Sequence, residues 1–299
     1  MSVIVITGGS GLIGRRLTGL LLKEGHTVRW LTRKKSGAEG VEEFLWDPAA
    51  QTMDEAALAG ADAIVSLAGT PIAAKRWSED FKKEIIKSRL DAAQTLIQAL
   101  SRHPGSVKTL VTASATGFYG DSKDRLMEEN HPEGSGFLAE TTSQWESAYR
   151  NSTIRTVFLR IGIVLSDKGG ALKELATPLK TGICPVIGDG QQYMSWIHID
   201  DLCRLFLHAI RQESLSGIFN AVAPEPVTHR QFMLTLRRVL SPLSLAFSVP
   251  SFFIRMLLGE KSAIVLDSAR VSASKTLSTN FRFLFPSLEP ALKDIYGKN

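Results

Sequence analysis

The chain has 299 residues, 44% of them hydrophobic and 22% charged, a balance that fits a folded globular protein and excludes a disordered one. Its net charge of +5 is a small difference between 35 basic and 30 acidic residues, so no nucleic-acid partner is expected. The only cysteines, Cys184 and Cys203, lie far apart without metal-ligand spacing, which excludes a disulfide scaffold and leads us to expect a reducing cytoplasm. In chain order, the apolar run Val3-Ile4-Val5-Ile6-Thr7 reads as a strand. It passes into Gly8-Gly9-Ser10-Gly11-Leu12-Ile13-Gly14 and then into a helix with Leu17, Leu20 and Leu21 on one face. Gly25 ends that helix, and Thr27 to Leu31 is a second strand. Val41 to Trp46 is a short strand, Ala63 to Leu67 a buried one, Phe81 to Leu100 a long helix, Thr109 to Ala113 a strand, Leu138 to Arg150 a helix and Arg155 to Ile161 a strand.

This alternation predicts an α/β fold, a doubly wound parallel sheet of the Rossmann kind over residues 1–165. Beyond it the rhythm loosens, with glycines at Gly169-Gly170 and Gly188-Asp189-Gly190 and a helix from Asp200 to about Arg211. Residues 166–299 are expected to form a smaller, mainly helical C-terminal lobe that holds a substrate, with 200–221 returning to the core. The N-terminal apolar segment is too short for a signal peptide, and the longest uncharged apolar stretch, Val239 to Ile254, is broken by Pro242 and Pro250. No membrane association is expected. The six histidines are scattered without metal spacing, so no metal site is expected either.

Strand, glycine turn and helix supply what a dinucleotide needs: a tight turn, bare backbone for the pyrophosphate, and a helix N-terminus with partial positive charge. Glycines alone also mark ordinary turns, but this set opens a long β/α alternation. They can be read as Gly9/Gly11/Gly14 or as Gly8/Gly11/Gly14. At the end of the second strand, where a carboxylate would hold a ribose 2′-hydroxyl, stand Thr32-Arg33-Lys34-Lys35, and no acid follows until Glu39. A planar guanidinium at Arg33 matches a 2′-phosphate, so the cofactor is read as NADP (NADPH) in preference to NAD.

With Leu67-Ala68-Gly69, Ser114-Ala115-Thr116-Gly117-Phe118-Tyr119-Gly120 and Trp196-Ile197-His198-Ile199-Asp200-Asp201-Leu202, the chain resembles the extended short-chain dehydrogenases/reductases. Ala68-Gly69-Thr70-Pro71-Ile72, Lys75-Arg76-Trp77, Lys87-Ser88-Arg89-Leu90 and Gly188-Asp189-Gly190-Gln191-Gln192-Tyr193 make it similar to the YfcH/YfhF-like epimerase-family branch. The resemblance spans essentially the whole chain and selects the Gly8/Gly11/Gly14 register. It implies cofactor contacts at Gly8, Gly11, Leu12, Ile13 and Gly14, at Thr32 and Arg33, at Leu67 and Ala68, and at Glu84, Arg89 and Val164. On their own, Glu84 and Arg89 also read as exposed helix charges, and Leu67 and Val164 as core.

Short-chain dehydrogenases pair a tyrosine with a lysine four residues later on a helix, so that the ammonium lowers the phenol pKa while hydride moves. Ser114 stands where the family's carbonyl-polarising serine belongs. The dyad is missing: aligned on Glu146, the helix Phe137 to Glu146 offers Leu138 and Thr142, and no lysine lies between Lys123 and Lys168. The literal Tyr119-x-x-x-Lys123 is interrupted by Gly120 and reads as a loop, although Tyr119 could reach the nicotinamide as an acid. His198 in an apolar strand reads as a packed histidine, and Asp200 and Asp201 as acids at a helix start. The expectation is an NADP-binding oxidoreductase or nucleotide-sugar-epimerase-like enzyme acting on an unknown small molecule, with Ser114 and Tyr119 in a nonstandard active site. The alternative is a noncatalytic NADP(H) sensor or binding module. Either leaves room for a homo-oligomer.

Overall fold

A computed structural model describes residues 1–103, 105 and 107–297. Its main sheet is built from β1 (Val3–Thr7), β2 (Thr27–Thr32), β3 (Val41–Asp47), β4 (Thr52–Met53), β5 (Ala63–Ser66) and β6 (Thr109–Ala115), joined by the strands Arg155–Ile161 and Gly217–Ala221. From one edge the order is Gly217–Ala221, Arg155–Ile161, β6, β5, β1, β2, β3, β4. The pairings of β1 with β2 and β5, of β2 with β3 and of β5 with β6 are parallel, and only the short β4 is shown to run antiparallel to its neighbour. The fold is the α/β doubly wound sheet expected from the alternation.

The strands are apolar because helices cover both faces. Every residue of β5 is buried, as is most of β6. Helix α1 (Leu12–Lys23) turns Gly14, Leu17, Thr18 and Leu21 inward at helical spacing. Helix α2 (Glu79–Arg102) starts at Ser78, whose side chain accepts from Phe81 N, and buries Phe81, Ile85, Leu96 and Leu100. Helix α3 covers Phe137–Ser147. The sheet's chain order reverses between β1 and β5. The carboxyl ends of those two strands therefore flank the crevice where such sheets bind ligands.

The chain divides into two compact units: Met1–Ser114, Thr141–Leu159 and Cys203–Phe219 form the first, and Ala115–Glu140, Arg160–Leu202 and Asn220–Asn299 the second. The second unit has its own core of Leu172, Leu179, Trp196, Phe232, Leu236 and Leu292. It is less helical than the expected C-terminal lobe, because Ile183–Ile187 and Leu245–Val249 pair as parallel strands over five residues each. Leu245, Phe247 and Val249 alternate with small residues, a period of two inside a stretch whose overall apolarity hid it. Among the described residues no helix is long and apolar enough to cross a membrane.

In this second unit the helix His229–Leu240 begins with a capping box, Thr228 and Gln231 bonding each other's backbone. His229, at its first turn, is 2% exposed, and neither ring nitrogen has a hydrogen-bond partner. Burial pushes its pKa down to about 4. The unfolded chain takes up this proton from about pH 6.5 and the native state only near pH 4, so the contribution is complete above 6.5 and lost as pH falls through that window. Urea titrations should show wild type losing about 3 kcal/mol more than His229→Leu between pH 7 and pH 4. Parallel pH profiles of the two proteins would contradict this.

Candidate functional site

At the end of β1 the backbone turns so sharply that Gly8 takes φ +69°. A Cβ there would lie 3.0 Å from the Leu67 carbonyl, and one on Gly14 only 2.4 Å from Gly8 O and 2.6 Å from Gly9 Cα. The first turn of α1 thus rests on the β1 turn, with Gly11 N donating to Gly8 O at 3.0 Å. Gly9 has a different reason to be glycine: its Cβ would fall 2.5 Å from the Trp30 indole, which donates to Thr18 Oγ1 at 2.9 Å. No side chain caps α1 at Gly11, and its first turn holds no acid. The amides of that turn are a ready seat for an anion.

Thr7 fastens the other wall of the crevice. Its buried hydroxyl accepts from Leu67 N at 3.0 Å and Ala68 N at 3.1 Å, and lies 3.4 Å from Ser66 Oγ. Ser66 Oγ in turn is 2.8 Å from the hydroxyl of Tyr149, whose phenol pKa is raised by burial. The loop continues onto α2, where Thr70 N donates to Ser88 Oγ at 3.0 Å and Arg89 Nη1 donates to Thr70 O at 3.1 Å and Ile85 O at 2.9 Å. The Arg89 guanidinium stands 5.0 Å from the Trp145 ring centroid. Burial brings its pKa down to about 10, so it stays charged at neutral pH. Glu84 is exposed, 3.5 Å from Thr70 Oγ1 and 3.7 Å from Lys75 Nζ.

At the end of β2, Thr32 Oγ1 donates to Lys34 O at 2.9 Å and fixes the basic turn. Arg33 is exposed and engages no other group among the described residues. A nearby carboxylate, Glu43, is occupied: it accepts from Ser36 Oγ at 2.6 Å, Ser36 N at 2.8 Å and Gly37 N at 2.7 Å. Those bonds, led by the Ser36 hydroxyl, hold its pKa below the usual range.

Ser114, near the carboxyl end of β6, is 3% exposed and donates to Glu146 Oε1 on α3 at 2.6 Å. The first unit therefore holds Gly8, Gly11, Leu12, Ile13, Gly14, Thr32, Arg33, Leu67, Ala68, Glu84, Arg89 and Ser114. Tyr119 and Val164 belong to the second. Tyr119 closes a 3-10 turn from Thr116 and is 2% exposed; its hydroxyl donates to Asn220 Oδ1 at 2.7 Å and accepts from Arg160 Nη1 at 3.1 Å. Burial raises its pKa more than Arg160 lowers it. Gly120, at φ +59°, breaks the turn before Lys123, so the literal Tyr-x-x-x-Lys is not helical. Val164 sits in the strand Ile163–Leu165, paired in parallel with Trp196–His198. His198 packs 4.0 Å from Phe285, and Asp201 accepts from Leu284 N and Phe285 N at 2.7 and 2.9 Å, so both secure the C-terminal segment. Among the described residues no cluster of metal-ligand side chains occurs.

A family model described as the NAD dependent epimerase/dehydratase family matches residues 4–221. This chain belongs to that family. A second model, a domain of unknown function (DUF1731), matches residues 249–295. The chain is 35% identical over 300 residues to the epimerase family protein YfhF of Bacillus subtilis, covering 98% of this chain and 97% of that one. Among solved structures it is similar to the human epimerase family protein SDR39U1 (isoform 2) with NADPH, at 32% identity and a TM-score of 0.89, covering 99% of this chain and all of that one. It is also similar to a nucleoside-diphosphate sugar epimerase from Corynebacterium glutamicum, at 30% identity and a TM-score of 0.79, across 99% of this chain and 58% of that one. These matches bear out the resemblance to extended short-chain dehydrogenases/reductases and to the YfhF-like branch.

Within this family member, sequence reasoning passed over Thr7, Ser66, Tyr149 and Glu146. Thr7 opens the motif that runs to Gly14, and a hydroxyl just before the glycines is a usable signal for the bonds it accepts from Leu67 N and Ala68 N. Glu146 served only to align a helix. Thr7→Val keeps the shape of the side chain but removes the hydroxyl that accepts the Ala68 amide, and should cost about 1–3 kcal/mol in urea unfolding. A change within about 0.3 kcal/mol would show that the loop finds other partners.

Proposed function

We propose that this chain binds NADP(H) in its first unit and acts as an oxidoreductase or nucleotide-sugar-epimerase-like enzyme on a small molecule bearing a carbonyl or carbinol. The observation that carries the cofactor choice is the end of β2, where Arg33 is exposed without a partner while Glu43 is bound up with Ser36 and Gly37. A 2′-phosphate would find a guanidinium there, and a 2′-hydroxyl would find no carboxylate to accept from it. The NADPH in the solved human relative supports the same reading.

The glycine turn fits such a group, since Gly8 and Gly14 have no room for a Cβ and the α1 N-terminus lacks a side-chain cap. Gly11, Leu12, Ile13 and Gly14 would receive the pyrophosphate on backbone amides. Thr32 and Arg33 would hold the 2′-phosphate end, and Leu67 and Ala68 would lie along the adenosine ribose. Glu84 and Arg89 would shape the loop beside it. Bound there, the nicotinamide supplies hydride transfer. Ser114 would donate to the substrate oxygen as charge develops on it.

Tyr119 we assign to positioning, because its hydroxyl already donates to Asn220 Oδ1 and burial makes the phenol a weaker acid. A second reading, a noncatalytic NADP(H) sensor, draws on Thr142 standing where the family's lysine would be. Calorimetry tests the cofactor assignment. Arg33→Ala should weaken NADPH about tenfold or more and leave NADH within about twofold. Wild-type protein that binds NADH as tightly as NADPH would overturn it.

A further inference from the structure

We propose that Glu146 is the proton acceptor of this site, working through Ser114 in place of the family's tyrosine and lysine; the proposal rests on the dinucleotide reading above. Ser114 lies near the carboxyl end of β6, on the edge of the parallel sheet where ligands bind, and its hydroxyl is committed to Glu146 Oε1 at 2.6 Å. That distance is typical of an O–H donating to an ionised carboxylate. Glu146 is half-buried, whereas a surface carboxylate bonding a serine would ordinarily face water.

Its place is held from both sides. Trp145, the preceding residue, is buried under the Arg89 guanidinium, and Tyr149, three residues on, is tied to Ser66 at 2.8 Å. The turn that carries Glu146 is therefore anchored to the loop after β5 and to β5 itself. Thr142 stands one helical turn earlier, so no ammonium on α3 would acidify a phenol. A carboxylate needs no such help, because its ordinary pKa already leaves it ionised at neutral pH and able to accept a proton.

The step balances. As the carbinol carbon gives up its hydride to an oxidised nicotinamide dinucleotide, the carbinol O–H proton passes to Ser114 Oγ and the Ser114 proton to Glu146 Oε1. The carbinol becomes a carbonyl, and the Glu146 carboxylate becomes a carboxylic acid. In the reverse direction Glu146 returns the proton through Ser114 to the oxygen of the carbonyl being reduced. Glu146 acts through Ser114 and is a positioning and relay residue, while Ser114 is the group that touches substrate.

The test has one arm that needs no substrate. Carbon-13 titration of the glutamate carboxyls in the full-length protein, with the Glu146 signal assigned from E146Q, should show its pKa rising by about 1 in S114A, because the charged form loses a donor. A Glu146 titration indifferent to S114A would overturn the pair. In the second arm, NADPH oxidation is followed with a panel of aldehydes, ketones, 9,10-phenanthrenequinone and nucleotide-linked keto sugars. E146Q should lower kcat by about a hundredfold or more, abolish the loss of rate as pH rises through the Glu146 titration, and leave the NADPH Kd within about twofold. A kcat within about threefold of wild type, or no turnover of any probe by wild-type protein that binds NADPH, would overturn the relay. Failure of wild-type protein to bind NADPH would instead strike the dinucleotide reading.

Discussion

The contact on which the rest of the first unit depends is the approach of α1 to the β1 turn, so close that a single Cβ on Gly14 would fall 2.4 Å from Gly8 O. It sets the direction of α1, and with it the direction of amides that no side chain caps. It also leaves Gly8 against the Leu67 carbonyl, so the turn after β1 and the loop after β5 have one geometry between them. From there the hold passes outward by ordinary bonds. Thr7 fixes Leu67 and Ala68, Thr70 is fixed by Ser88 and Arg89, and Arg89 lies over Trp145 beside Glu146. A glycine contact at one end of the site is thereby connected, through named atoms, to the serine and carboxylate at the other.

The charges along this path are sorted. Near the dinucleotide crevice stand a helix N-terminus without an acid and an exposed arginine at the end of β2, while Glu43 is engaged by three local donors. Arg89 keeps its charge despite burial because carbonyls and an aromatic face surround it. The carboxylate that faces a sheet-end serine is Glu146. On the readings proposed above, a dianionic cofactor phosphate and a proton acceptor would be served by different regions of one unit, so neither charge would need to be compromised for the other.

Backbone-driven features were the legible ones. The alternation of apolar runs with helical periodicity gave the parallel sheet because both depend on local spacing, and Gly8 and Gly14 carry a steric requirement that no other residue type meets. The basic turn at Arg33 could be read because it sits a fixed distance past a strand. What escaped were pairings that depend on which side chains the fold brings together: Ser114 with Glu146 across 32 residues, Ser66 with Tyr149 across 83, and Tyr119 with Asn220 across 101. The strands Ile183–Ile187 and Leu245–Val249 escaped for a related reason, since a parallel pair joined by a long connection leaves no hairpin signal in the sequence.

The loss of the tyrosine-lysine dyad and the burial of Tyr119 are two sides of one physical problem. A phenol becomes useful near neutral pH only when a cation lowers its pKa and water or substrate can reach it. Tyr119 has Arg160 within hydrogen-bond distance, yet its pKa is raised, because desolvation outweighs the guanidinium, and its hydroxyl is already committed as a donor to Asn220 Oδ1. The guanidinium stacks on Phe118 at 3.4 Å and so is held for packing as much as for charge. A carboxylate has the opposite problem: it is ionised without help, but it must be kept partly out of water to be worth protonating. Glu146 on α3 is half-buried, and the Ser114 hydroxyl donates to its Oε1. On the relay proposed above, Thr142 in place of a lysine on α3 suits a carboxylate acceptor, because an ammonium one turn away would stabilise the charged form and make it a poorer base.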